Sequence, residues 1–172
     1  NAFVVTHAAA CMGLLGWLAG EKLHRQKPTT LGAASGAVAG LVAITPAAGF
    51  VGPLSSLFIG FLAGIICYGG VLLKEKLQFD DSLDVVAIHG LGGVWGALAT
   101  GIFASTVINS GGANGLLFGN PMQLWIQFVS VVAACVFSFL VSILILKAVD
   151  KLIGLRVTPE EEEQGLDLSM HS

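Results

Sequence analysis

Charge is what this chain has least of: 11% of its 172 residues are charged while 55% are hydrophobic, for a mean hydropathy of +0.84. No soluble domain of this length needs so much apolar sequence, so the chain reads as an all-α polytopic membrane protein. The basic residues number eight and are scattered, which excludes a nucleic-acid partner. Cysteine is scarce as well. Cys11, Cys67 and Cys135 each fall inside an apolar run, without disulfide or metal-ligand spacing, and are read as packing residues. There is no CxxC, P-loop, GxSxG or nucleotide fingerprint, so no cofactor, no metal and no enzyme chemistry is expected. The opening NAFVVTHAAACMG lacks a basic segment and a cleavage site, so it is not read as a signal peptide. The chain is expected to begin part-way through a larger protein.

What is present in quantity is apolar sequence in long runs. Crossing about 30 Å of hydrocarbon takes roughly 20 helical residues. Five stretches meet or approach that length, at about 2–20, 31–48, 53–74, 84–106 and 122–147. Lipid leaves no partner for free backbone groups, so each span must be helical. Residues 1–156 are thus expected to form a transmembrane bundle and 157–172 a polar tail. With five alternating spans, Lys22, Arg25, Lys27, Lys74, Lys76, Lys147, Lys151 and Arg156 all fall on one side, and the two opposite loops carry no basic residue. The positive-inside rule places that side, with the C-terminus, in the cytoplasm.

Glycine is the other abundant feature, at 23 residues. Gly32, Gly36 and Gly40, then Gly60 and Gly64, then Gly92 and Gly96 repeat at a spacing of four. Small residues so placed let helix backbones approach closely. Taken alone, they indicate a compact bundle and no particular activity.

One titratable group stands deep inside a run. In DDSLDVVAIHGLGGVWGALATGIF, residues 80–103, Asp80, Asp81, Ser82 and Asp84 mark the polar start of a helix, where Asp81 and Asp84 are expected to cap free N–H groups at the cytoplasmic entrance. At a rise of about 1.5 Å per residue, His89 lies about 12 Å along that helix, too deep for an imidazole to reach either surface. Ideal helical spacing puts it on one face with Val85, Gly92, Gly93 and Gly96, towards protein, and turns Asp84 away from it. Such a histidine is either a buried hydrogen-bonding group or part of a pathway for an ion or polar solute. His7 lies about 8 Å from its helix end and is read as a structural hydrogen-bonding residue. His24 and His171 lie in polar segments and are expected to be solvated. A haem-binding anchor with His7 and His89 as axial ligands is disfavoured, because the two depths differ by about 10 Å.

Three segments carry a resemblance. DDSLDVVAIHGLGGVWGALATGIFA resembles the tenth-helix signature of the ammonium transporter (Amt/Mep/Rh) family. GEKLHRQKPTTLGAASGAVAGLVAITPAAGFVGP is similar to the region from that family's seventh to its eighth helix, and GLRVTPEEEEQGLD to its cytoplasmic C-terminal segment. Val86 departs from a common phenylalanine and Ala87 from a frequent glycine. The resemblance runs through the chain in order and covers about the second half of an eleven-helix subunit.

The resemblance implies a homotrimer in which each subunit has a narrow hydrophobic pore between two five-helix halves of inverted topology. Two histidines, one per half, meet in that pore; His89 matches the second, and its partner belongs to the N-terminal half. Val85 matches a pore-lining position, and Thr45 one near the outer end of the pathway. The implied substrate is ammonium or ammonia, in a plasma or inner membrane, with a PII-type regulatory protein as a possible partner at the cytoplasmic face. An ammonium sensor on the same fold, with little transport, is the alternative.

Overall fold

A computed structural model describes residues 1–171, without the side chain of His171, so the solvation expected for that histidine lies outside the described residues. The chain divides into two compact units, Asn1–Val131 and the segment from Val132 onward.

The first unit holds α1 (Ala2–Arg25), α2 (Thr30–Ile44), α3 (Pro53–Leu77), a π-helical turn (Val86–Leu91) that runs directly into α4 (Gly92–Phe103), a 3-10 turn (Leu116–Phe118) and the start of α5 (Pro121–Ile153). Among the described residues there is no strand. Four helical segments among the described residues are long and apolar enough to cross a membrane: Ala2–Arg25, Pro53–Leu77, Val86–Phe103 and Pro121–Ile153; Thr30–Ile44 is apolar but shorter.

Several helices differ in extent from their apolar runs, for local reasons. α1 continues through Glu21, Lys22 and Leu23, good helix formers, and ends where Gln26 turns left-handed at φ 60°. α3 likewise runs through Lys74–Leu77 to Gln78 at φ 52°. Hydropathy marks the part of a helix that suits lipid, whereas propensity and caps set where the helix stops. α2 ends at Ile44 because Pro46 has no N–H to continue the ladder. Its start is set by Thr29, whose hydroxyl accepts from the Gly32 N–H at 2.9 Å. Thr29 in turn donates through its N–H (2.7 Å) and its hydroxyl (2.9 Å) to the carboxylate of Glu21, which also accepts from Trp17 Nε1 at 3.3 Å. Glu21 is buried, and these donors satisfy it while tying the end of α1 to the start of α2.

Helix contact is closest where the sequence places glycine. The Ala9 carbonyl of α1 lies against both Gly40 of α2 and Gly60 of α3, so a Cβ at either position would collide with it. The Gly13 carbonyl lies the same way against Gly64, and the Ala43 carbonyl of α2 against Gly96 of α4. Around these contacts Val5, Ile44, Val51 and Ile59 are fully buried, and a second cluster gathers Trp17, Cys67, Tyr68 and Ile88. Of the three cysteines only Cys67 is a packing residue within this chain; Cys11 and Cys135 are exposed on apolar helix faces. No residue of α5 is buried, and α5 is apolar on every side, as suits a helix surrounded by lipid or by further protein.

In the second unit the rest of α5 ends at Gly154, φ 79°, and two short helices follow, α6 (Pro159–Gln164) and α7 (Leu166–His171). Thr158 opens α6 with a capping box, exchanging hydrogen bonds with Glu161. Arg156 grips Glu162 with two nitrogens, at 2.6 and 3.0 Å, and this guanidinium holds the Glu162 carboxyl below its ordinary range. The described part of the tail is therefore folded locally into two short helices, the first of them capped.

Candidate functional site

His89 sits in the middle of the π turn Val86–Leu91. The turn begins from a tightly fixed corner. Asp84 takes a left-handed conformation at φ 55°, and the Asp81 carboxylate accepts from the Val85 N–H (3.0 Å) and the Val86 N–H (2.8 Å). Lys74 of α3 donates to the Asp81 carbonyl at 2.6 Å and pairs with the Asp84 carboxylate. Asp81 thus caps the free amides of the first turn, and Asp84 faces α3 rather than His89.

The π turn changes which residues share a face. Its hydrogen bonds close over five residues instead of four, so residues before and after it are offset by one position, roughly 100° of rotation. Ideal helical spacing groups His89 with Gly92 and Gly96, towards protein. The structure keeps Gly93 beside His89 in one groove but buries Gly92 against Cys67 and Val42, and Gly96 against Ala43, while His89 itself lies exposed.

That side is an open groove of about 640 Å³ lined by Val38, Leu41, Val42, Thr45 and Pro46 from α2 and its end, and by His89, Gly93 and Ala97. The lining is almost wholly apolar, and the His89 ring has no hydrogen-bond partner among the described residues. Its nitrogens are therefore the principal polar groups that this wall offers to an occupant. Thr45 adds little more, because its hydroxyl donates back to the Leu41 carbonyl at 2.7 Å. The structure brings His89 and Thr45 into one groove. It does not bring Val85 there: Val85 is half exposed, one turn earlier, outside the lining.

The remaining histidines are placed differently. His7 Nδ1 donates to the Phe3 carbonyl at 2.8 Å, a bond within its own helix. His24, expected to be solvated, is exposed but also bonded to the Tyr68 hydroxyl at 3.0 Å. That contact was hidden because the partner lies 44 residues away on another helix. Among the described residues no group of three or more His, Cys, Asp or Glu side chains could hold a metal ion. Lys74 was the functional neighbour least visible in the sequence, where it counted only as one basic residue of a polar loop. Its spacing of ten from Asp84, across a short connection, was the available signal.

Against this geometry, comparison with known proteins gives a consistent result. The sequence profile of the Ammonium Transporter Family matches residues 1–172. An ammonium transporter of Bacillus subtilis (strain 168) is 52% identical over 171 residues, covering 99% of this chain and 42% of its own length. Among solved structures, Mep2 of Candida albicans superposes with a TM-score of 0.86 at 38% identity, over 93% of this chain and 37% of its own. A sensor Amt protein superposes equally well, with a TM-score of 0.86 at 31% identity, over 99% of this chain and 42% of its own. The chain therefore spans about two fifths of the length of these relatives. The full-length match, the identity above one half and the shared helical architecture agree: this chain belongs to the Ammonium Transporter Family and is part of a multi-pass membrane protein, a transporter family rather than an enzyme family.

Proposed function

We propose that the groove of His89 and Thr45 is one wall of a pore through which the complete protein passes ammonium or ammonia. The observation that carries this reading is an imidazole without a hydrogen-bond partner among the described residues, set in an apolar groove near the start of a helical segment, Val86–Phe103, that suits a membrane. A dry apolar pore strongly disfavours any bare ion, which separates ammonium from potassium by chemistry rather than size. Ammonium can shed a proton and cross as a neutral molecule, and an imidazole at mid-membrane offers a hydrogen bond and a proton path. The opposite wall, with a second histidine facing His89, comes from the rest of the subunit. Val85, outside the groove itself, faces the approach to it one turn nearer the cytoplasm, and Asp81 and Asp84 shape that entrance by fixing the helix start.

The reading extends to assembly and location. Residues 1–156 form five spans, with α2 completed by the turn at 45–50, and 157–172 form a cytoplasmic tail of the plasma or inner membrane. The subunits form a homotrimer, and the capped tail helices offer a surface to a PII-type regulatory protein. Loss of PII capture on deleting 157–172 is the expected sign of that role, and undiminished capture rejects it. For the topology, single cysteines replacing Lys27 and Asn109 should react with an impermeant thiol reagent from opposite faces. Labelling of both from one face contradicts the five-span arrangement.

A second reading has a specific basis, the likeness to a sensor Amt protein: the same groove binds ammonium and reports it, with little turnover. Ammonium flux in liposomes holding the complete protein separates the two. Sustained uptake supports transport, while saturable binding without uptake supports sensing.

A further inference from the structure

The π turn that carries His89 is capped locally by Asp81 but is also held from outside its own segment. It leans on one face of α3, formed by Cys67, Gly70 and Lys74, which recur at i, i+3 and i+7. Each touches a different part of the turn. The buried Cys67 thiol donates to the Ile88 carbonyl at 3.7 Å, a weak bond to the residue just before His89. Gly70 lets the turn approach closely: a Cβ there would lie 2.6 Å from Leu91 Cδ1 and 3.2 Å from Ala87 Cβ. Lys74 anchors the corner before the turn through the Asp81 carbonyl and the Asp84 carboxylate. The approach to a six-residue turn, its middle and its end are thus all referred to one helix. A π turn has poorer hydrogen-bond geometry than an α turn and persists when its surroundings favour it.

We infer that Cys67, Gly70 and Lys74 of α3 are positioning residues that impose the π turn and so aim His89 into the groove. None of the three touches the groove, so their effect on an occupant passes only through His89. This inference rests on the proposed pore role of His89.

Gly70 supplies the sharpest test, because its neighbour is a built-in control. A Cβ at Gly69 meets nothing within 4 Å, whereas one at Gly70 meets the movable tip of Leu91 and, at 3.2 Å, the Ala87 Cβ, which has no rotamer to change. In the complete protein in liposomes, Gly70→Ala should lower the ammonium-over-potassium ratio per folded molecule about tenfold, the size of effect expected when a hydrogen bond to a charged substrate is misplaced. Gly69→Ala should leave the ratio unchanged. Adding Leu91→Ala to Gly70→Ala, which removes the nearest obstructing carbon, should restore it. The ring nitrogen resonances of His89, assigned by their loss in His89→Ala, should shift in Gly70→Ala and not in Gly69→Ala. Unmoved resonances in a folded Gly70→Ala protein overturn the inference. Moved resonances with unaltered transport sustain the positioning role and reject the pore reading. Should Gly70→Ala not fold, Cys67→Val against Cys67→Ser decides: a positioning role for α3 predicts shifted His89 resonances for valine and near-native ones for serine, which keeps a donor. Identical spectra for those two variants overturn it.

Discussion

Replacing His89 by alanine in the complete protein is expected to cut ammonium uptake by about tenfold to a hundredfold, or to admit potassium, while leaving the protein folded. The magnitude follows from losing a hydrogen bond to a charged or proton-sharing solute, about 1.5–3 kcal/mol, where no water replaces it. Folding should be spared because the ring has no hydrogen-bond partner among the described residues and lies on an exposed groove. The substitution removes a polar group without burying a new one. Uptake and potassium leak would be measured per folded molecule, beside a thermal unfolding curve. A purely structural histidine gives the reverse pattern, a lowered Tm with normal selectivity, and that result rejects the pore role while leaving the family membership intact.

The largest effect on stability is expected at a glycine contact. Gly60→Val should destabilise the bundle by about 3 kcal/mol or more, at or above the upper end of the usual overpacking range. The reason is what the new side chain meets. At Gly60 a Cβ runs into the backbone carbonyl of Ala9, which has no rotamer to change. The same carbonyl is held from the other side by Gly40, so α1 cannot retreat without disturbing α2. Gly69→Val on the same helix faces open space and should fold normally. Yield of the monodisperse protein in detergent and its inactivation temperature compare the two directly; similar values for both would show that close approach at Gly60 is dispensable.

Much of this was legible in the chain itself. Long apolar runs can satisfy their backbone in lipid only as helices, so the helical class follows from composition and run length. The residues at the close contacts were visible because only glycine or another small residue permits backbone contact, and Gly40, Gly60, Gly64 and Gly96 do meet carbonyls. His89 stood out because an imidazole deep in an apolar run is costly unless used. These are properties of single residues or of fixed spacings along one helix, and a sequence records both.

The tertiary structure decided what depends on a neighbour far along the chain. Ideal helical spacing cannot anticipate the π turn, since the contacts that favour it come from Cys67, Gly70 and Lys74 on α3. His89 keeps Gly93 on its side, as its spacing predicts, but is separated from the buried Gly92 and Gly96 and placed with Thr45 in one groove. The pairing of His24 with Tyr68, and of Lys74 with Asp84, likewise needed the folded arrangement. The sequence determined that this chain is a set of membrane helices with one histidine deep in an apolar run; only packing between helices determined where that histidine points, because direction is a property of contacts and not of composition.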